Sequence, residues 1–246
     1  MSAHQRERHG TGGGQFAFTI SPVSAAAHEL KSPLVLIRQL ALATQQPGVS
    51  DADRERLIAQ LTLTSERALR LTNDLTKSAR LEDAMFDLEP INAQELCREV
   101  VEELSSLFAA EGRRLVVQKR KNPLLLVANR DLLRRILINF TDNAFYYTDS
   151  TAAIELQVQS LKRGSIVRLG VRDYGPAIPT DIWRTLEKKL SHAPQPIHAR
   201  PQSSGLGLYI AGLFAETMNG KIGITRHRDG ATFFVDLDAS HQMSLI

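Results

Sequence analysis

Apolar residues between Pro22 and Gln46 recur at spacings of three, four and seven, through Val23, Leu30, Leu34, Ile37 and Ala41, and Pro47-Gly48 ends the run. That period predicts an amphipathic helix with a stop signal after it. Ser50 or Asp51 can cap a second helix reaching about Leu81, on which Leu57, Leu61, Thr64, Ala68, Leu71 and Leu75 alternate by four and three. Such a seam needs a partner helix. A lone hairpin of this length leaves apolar surface in water, whereas two copies bury it in a four-helix bundle, so the pattern predicts a homodimer.

Past Phe86 the period changes. A helix is predicted near Ala93 to Ala110, strands at Leu115-Val116-Val117 and Leu124 to Val127, and a helix from about Asn129 to Ala144. Ile154 to Leu161 and Ile166 to Val171 read as a hairpin turning at Arg163-Gly164. A third helix of this half follows Gly205, and strands at Ile222 to Thr225 and Thr232 to Leu237, separated by Asp229-Gly230, complete a sheet. The expected class is α+β: an N-terminal helical hairpin followed by an α/β sandwich. The division is a mobile tail over 1–20, the hairpin over 21–82, the sandwich over 83–240 and a C-terminal tail over 241–246. The stretch Ser191 to Ser204, rich in proline and polar residues, reads as a long loop.

Composition adds exclusions. With 43% hydrophobic residues the chain can build an ordinary core, and 30 Lys plus Arg against 27 Asp plus Glu leaves only +3, which gives no reason to expect nucleic acid. Cys97 is the single cysteine, so no internal disulfide can form and a reducing compartment is expected. Its place in a helical apolar pattern marks it as a small core side chain. No apolar run approaches the roughly twenty residues that cross a bilayer, and the start lacks a signal-peptide core. The expectation is a cytoplasmic protein without membrane insertion.

Candidate chemistry sits in four segments. His28-Glu29-Leu30-Lys31-Ser32-Pro33-Leu34 puts an imidazole just before a proline that cannot donate to the Glu29 carbonyl. A free imidazole is mostly neutral at cell pH, so His28 as a nucleophile toward phosphorus needs placement more than activation. Asn139 and Asn143 lie four apart on a predicted helix, so their amides share a face and can offer oxygens to a Mg²⁺ carried by phosphates. Asp173-Tyr174-Gly175-Pro176-Ala177 follows a strand, and Gly205-Leu206-Gly207-Leu208 opens a helix whose free N–H groups can cradle phosphate.

In this order the four segments resemble the core of a bacterial two-component sensor histidine kinase, a dimerisation and phosphoacceptor hairpin joined to an ATPase domain of the GHKL (Bergerat) type. The resemblance covers about Ser21 to Ala239. It implies that ATP and Mg²⁺ are bound, that His28 takes the γ-phosphoryl group, and that an aspartate on a response regulator receiver domain receives it. Glu29 would take the proton from the other ring nitrogen, and Ser32 would orient the water for a response-regulator phosphatase reaction. Asn139 and Asn143 correspond to the N box and would hold the metal, with Tyr147 the aromatic beside the nucleotide. Asp173 would accept from the adenine amino group, with Gly175 and Ala177 in the turn beside the base. Gly205, Leu206 and Gly207 would line the phosphates, and the Ser191 to Gln202 segment would be the ATP lid. The input would come from an upstream sensor protein, the dimer interface or a small ligand.

The chain departs from the family in places. Tyr146 stands where a phosphate-contacting Lys or Arg is common, Ala177 and Ser203 replace usual glycines, and Arg200 is the nearest cation able to stand in for the missing Lys. An alanine forced to φ > 0 costs on the order of 1–2 kcal/mol. These departures motivate a rival, a dimeric pseudokinase or phosphotransfer scaffold. Mismatch-repair and chaperone types of the same ATPase fold rank lower because their catalytic acid in the N-box helix is not visible. A serine-directed relative would leave the His28 segment unexplained. Trp183, where the family often has Phe, reads as a packing anchor.

Overall fold

The structure, a computed structural model, describes residues 22–78, 86–148, 152–191 and 206–240. The two expected tails, the 82/83 boundary and all of the lid after Ser191 lie outside them. Helix α1 (Pro22–Thr44) runs on through Pro33, and α2 (Asp51–Ser78) returns along it after a turn in which Gly48 takes a φ of 92°. That conformation is nearly free for glycine. Ser50 accepts from the Asp53 N–H at 3.1 Å and donates to the Asp53 carboxylate, closing the first turn of α2.

The second half is a five-stranded sheet with helices on one face. Its elements are β1 (Glu89–Asn92), α3 (Ala93–Ala110), β2 (Leu115–Val117), β3 (Leu125–Ala128), α4 (Arg130–Tyr147), β4 (Ile154–Leu161), β5 (Ile166–Arg172), α5 (Thr180–Ser191), α6 (Leu206–Thr217), β6 (Lys221–His227) and β7 (Gly230–Asp238). The strand order is β2-β4-β5-β7-β6, antiparallel except for β2 beside β4, and β1 pairs with β3 in a separate two-stranded ribbon. The β4–β5 turn is a short 3-10 segment in which Lys162 and Arg163 take positive φ.

Caps explain where the main helices start. Asn92 accepts from the N–H groups of Gln94 and Glu95, and Asn129 accepts from Leu132 N–H at 3.1 Å. From there α3 buries Leu96, Val100, Leu104 and Phe108 at intervals of four, with Cys97 beside them. Burial pushes the Cys97 thiol up to about 12, so it stays protonated and inert. On α4 the buried stripe is Leu132, Leu133, Ile136, Leu137, Phe140 and Ala144. α6 is apolar around most of its circumference, with Leu206, Leu208, Ile210, Ala211, Phe214 and Ala215 all buried. The reason is topological: it contacts α4 and the sheet, and also α1 and α2 of the hairpin.

Most expected elements are present with ends shifted by a few residues; α4 continues to Tyr147, not Ala144, and β3 starts at Leu125. Two elements depart from the sequence reading. β1 forms in a segment expected to lead straight into α3, and α5 forms where only a packing tryptophan was expected. α5 packs Trp183, Leu186 and Leu190 against the core and lies along β6.

A charged pair joins the halves among the described residues. Asp74 of α2 is almost fully buried and faces Arg135 of α4, with Nε 3.4 Å from Oδ1, while Leu71 and Leu75 of α2 pack against the core of the sandwich.

Candidate functional site

Asp173 stands directly after β5 and is 3% exposed. Its backbone N–H donates to the Ala231 carbonyl at 3.0 Å, and its Oδ1 accepts from Ala231 N–H at 3.1 Å and Gly175 N–H at 3.2 Å. The carboxylate thus takes the place of the next ladder carbonyl opposite β7. Burial raises the Asp173 pKa, while the two N–H groups and the Arg172 charge pull it back down. Positive φ among non-glycine described residues falls at Lys162, Arg163 and Asn219, so Ala177 fits its loop without left-handed strain. The departure from glycine there carries no backbone cost.

Asn139 and Asn143 are half-buried one turn apart on α4, as their spacing predicts. The Nδ2 of each is buried without a hydrogen-bond partner among the described residues. An unsatisfied buried donor costs about 1–3 kcal/mol, so this face has two N–H₂ groups to offer an acceptor such as a phosphate oxygen. Their neighbour is the second glycine segment: a Cβ on Gly207 would stand 4.0 Å from the Asn139 Cγ and Oδ1. Gly207 and Leu206 form the first turn of α6, so the chain brings the amide pair to a helix start whose N–H groups suit an anion. Amide oxygens and free N–H groups together fit a phosphate-borne Mg²⁺, which takes one or two protein oxygens and keeps several waters.

Other expected site residues are placed less fully. Ser32 is exposed one turn beyond His28 on α1, and the helix backbone carries both His28 and Glu29. Tyr147 is the last residue of α4. Arg200 and Gly205 lie outside the described residues. Trp183 packs against the core, in keeping with its reading as an anchor.

Sequence reasoning passed over Arg172. It is the last residue of β5 and 6% exposed, and its guanidinium lies 4.3 Å from the centroid of the Tyr174 ring. A charged residue closing the strand pattern Ile166 to Val171, next to Asp173, was the available signal.

Residues 128–241 match the family described as histidine kinase-, DNA gyrase B-, and HSP90-like ATPase. A sensor histidine kinase of Pseudomonas aeruginosa, AruS, is 26% identical over 225 residues, covering 88% of this chain and 22% of AruS. Among solved structures, full-length ShkA in complex with AMPPNP superposes with a TM-score of 0.60 at 23% identity, covering 91% of this chain and 47% of that one. The histidine kinase ThkA in complex with the response regulator protein TrrA gives 0.57 at 17% identity, over 89% of this chain and 61% of that one. These two likenesses establish the shared fold, and the chain spans less than two thirds of each of the three proteins.

Proposed function

We propose, on the premise that this chain carries the core of a two-component sensor histidine kinase with its GHKL ATPase domain, that it phosphorylates itself on His28 from Mg-ATP and passes the phosphoryl group to a response regulator aspartate. The observation that carries the reading is the position of α6. It begins with the glycine segment beside the N-box amides and packs on both helices of the hairpin that bears His28. In this reading one element supports both the nucleotide site and the phosphoacceptor helix, which suits a transfer that relies on positioning.

In this reading Asp173 accepts from the adenine amino group, with Gly175 and Ala177 shaping the turn and Tyr147 beside the base. Gly205, Leu206 and Gly207 line the phosphates, and Arg200 neutralises the γ-phosphate. Asn139 and Asn143 hold Mg²⁺, which neutralises phosphate charge when bound. Glu29 takes the imidazole proton, and Ser32 orients the water that hydrolyses the phosphoryl group from the response regulator. The domains follow as 21–82 and 83–240. No helix among the described residues is long and apolar enough to cross a membrane.

Incubation with γ-labelled ATP and Mg²⁺ tests the reading. Label that is acid-labile and base-stable is expected, whereas nucleotide binding without label would replace it by the pseudokinase scaffold.

The titration of Asp173 gives a second expectation. Only the ionised carboxylate makes the charge-assisted bond, and burial raises its pKa, so ADP affinity should be full at neutral pH and fall on acidification earlier than an ordinary carboxylate near pH 4 would cause. Calorimetric titrations from about pH 8 down through the ordinary carboxylate range near pH 4 measure this. A fall in affinity that sets in only at or below that range would contradict a raised Asp173.

The hairpin leaves Leu34, Val35, Leu36, Leu42, Ile58 and Leu69 exposed, an apolar surface that a second copy of the hairpin would cover. Light scattering should return twice the chain mass, and Leu42→Glu with Leu69→Lys should return the monomer. A monomeric parent chain would remove the four-helix bundle from the proposal.

A further inference from the structure

We propose that Arg172 is a positioning residue for base recognition: its guanidinium ties the end of β5 to the β6–β7 turn and so fixes the Asp173 carboxylate that selects an amino-bearing purine. This rests on the reading of Asp173 as the base-recognising group.

The contacts wrap around Asp173 from both sides. Nη1 of Arg172 donates to the Asp173 carbonyl and lies 3.4 Å from the carbonyls of Asp229 and Ala231. Nη2 donates to Asp229 Oδ1 at 2.5 Å, and the guanidinium lies over Tyr174, the residue after Asp173. An ordinary ion pair with Asp229, itself 67% exposed, would not require the arginine to be buried. Burial is explained if the fork has to hold backbone carbonyls with Nη1 and the Asp229 carboxylate with Nη2 at once, a two-nitrogen geometry that arginine offers and lysine does not.

The turn closes on the same atoms. Gly230 takes a φ of 125°, and a Cβ there would stand 2.5 Å from Asp173 Oδ1 and 2.8 Å from Arg172 Nη1. Glycine is therefore required twice, by conformation and by space. Ala231, next in the chain, supplies the N–H that Oδ1 accepts, so displacing the turn displaces the carboxylate. Among the described residues the hydrogen bonds to the side chain fall on Oδ1, leaving Oδ2 the oxygen with capacity to spare. The neighbouring charges and titratable groups are Arg172, Asp229 and His227, whose ring pairs with Thr232 Oγ1 at 2.9 Å, with Glu155 opposite Arg172 on β4. Arg172 is the cation that lowers the cost of a buried Asp173 charge.

The test is the ratio of ADP to inosine diphosphate affinity, measured by calorimetry on the full chain. The inosine base carries an oxygen in place of the adenine amino group, so the parent chain should prefer ADP by roughly 10- to 100-fold. Arg172→Ala should bring the ratio within about threefold, and Arg172→Lys, with charge but no fork, should give an intermediate value. A simple loss of stability would weaken both ligands alike and leave the ratio alone. Asp229→Ala sits on the surface, keeps the fold if Arg172→Ala does not, and should lower the ratio by about two- to fivefold. An unchanged ratio in folded Arg172→Ala, or in Asp229→Ala where the former fails to fold, overturns the positioning role. Asp173→Asn separates the two readings: an unchanged ratio there removes base recognition by Asp173 itself, whereas loss there without loss in the arginine variants removes Arg172 alone.

Discussion

His28→Gln should abolish incorporation of label from ATP while leaving ADP affinity within about twofold of the parent. The substitution keeps a polar side chain with a similar helix preference on α1, so the backbone that carries it is undisturbed. What disappears is the ring nitrogen. In the proposed transfer that nitrogen forms a bond to the γ-phosphorus as the bond from phosphorus to the ADP oxygen breaks, and the ring gives up its other proton. Glutamine amide nitrogen has no lone pair to offer, so the loss is complete and not graded. Mass spectrometry under neutral conditions would locate the group on the parent chain. Phosphate found on another residue, or retained in the variant, would remove His28 from the mechanism.

Phe140→Ala should cost about 3–5 kcal/mol of stability, lowering the melting temperature of the sandwich half by roughly 6–20 °C. Phe140 is fully buried at the middle of α4, with its ring 6.0 Å from that of Phe233 on β7. Removing it opens a cavity between helix and sheet that Leu137 and Ala144, a turn away on either side, are too constrained to fill. The effect extends to binding because Asn139 precedes Phe140 and Asn143 follows within a turn. Their amides are presented by this helix, so nucleotide affinity should fall even at temperatures where the variant is folded. A scan that finds the parent melting temperature would show that α4 does not depend on this ring.

Local signals carried most of the fold. Asn92 and Asn129 announce α3 and α4 because a cap is read from one residue and its apolar followers, and Arg163-Gly164 and Asp229-Gly230 mark turns that the strands obey. The amide pair was readable for the same reason, since a spacing of four on a helix is a local fact. α5 was hidden: Ile182, Trp183, Leu186 and Leu190 have helical spacing, but Pro176 and Pro179 just before them read as loop. β1 has two exposed residues in four and owes its extended form to pairing with β3, some 35 positions away in the register Glu89 to Ala128 through Asn92 to Leu125. Arg172 and Asp74 are harder still. A charge at a strand end or on a helix reads as solvent-facing until the tertiary fold closes over it, and only then does its partner, Asp229 or Arg135, become visible.

The pairing of Asp74 with Arg135 bears on how such a molecule would cycle. Carrying α4 and α6 away from α2 means parting a carboxylate that is 5% exposed from its guanidinium and wetting Leu71 and Leu75 together. Water re-solvates both charges once they part, so the resistance comes chiefly from the two leucines, up to about 1.5–3 kcal/mol for each side chain wetted, comparable with the 1–3 kcal/mol that one site usually exerts on another. The joint is therefore a threshold: weak stimuli leave it shut, and a stimulus strong enough to open it releases the whole sandwich half at once.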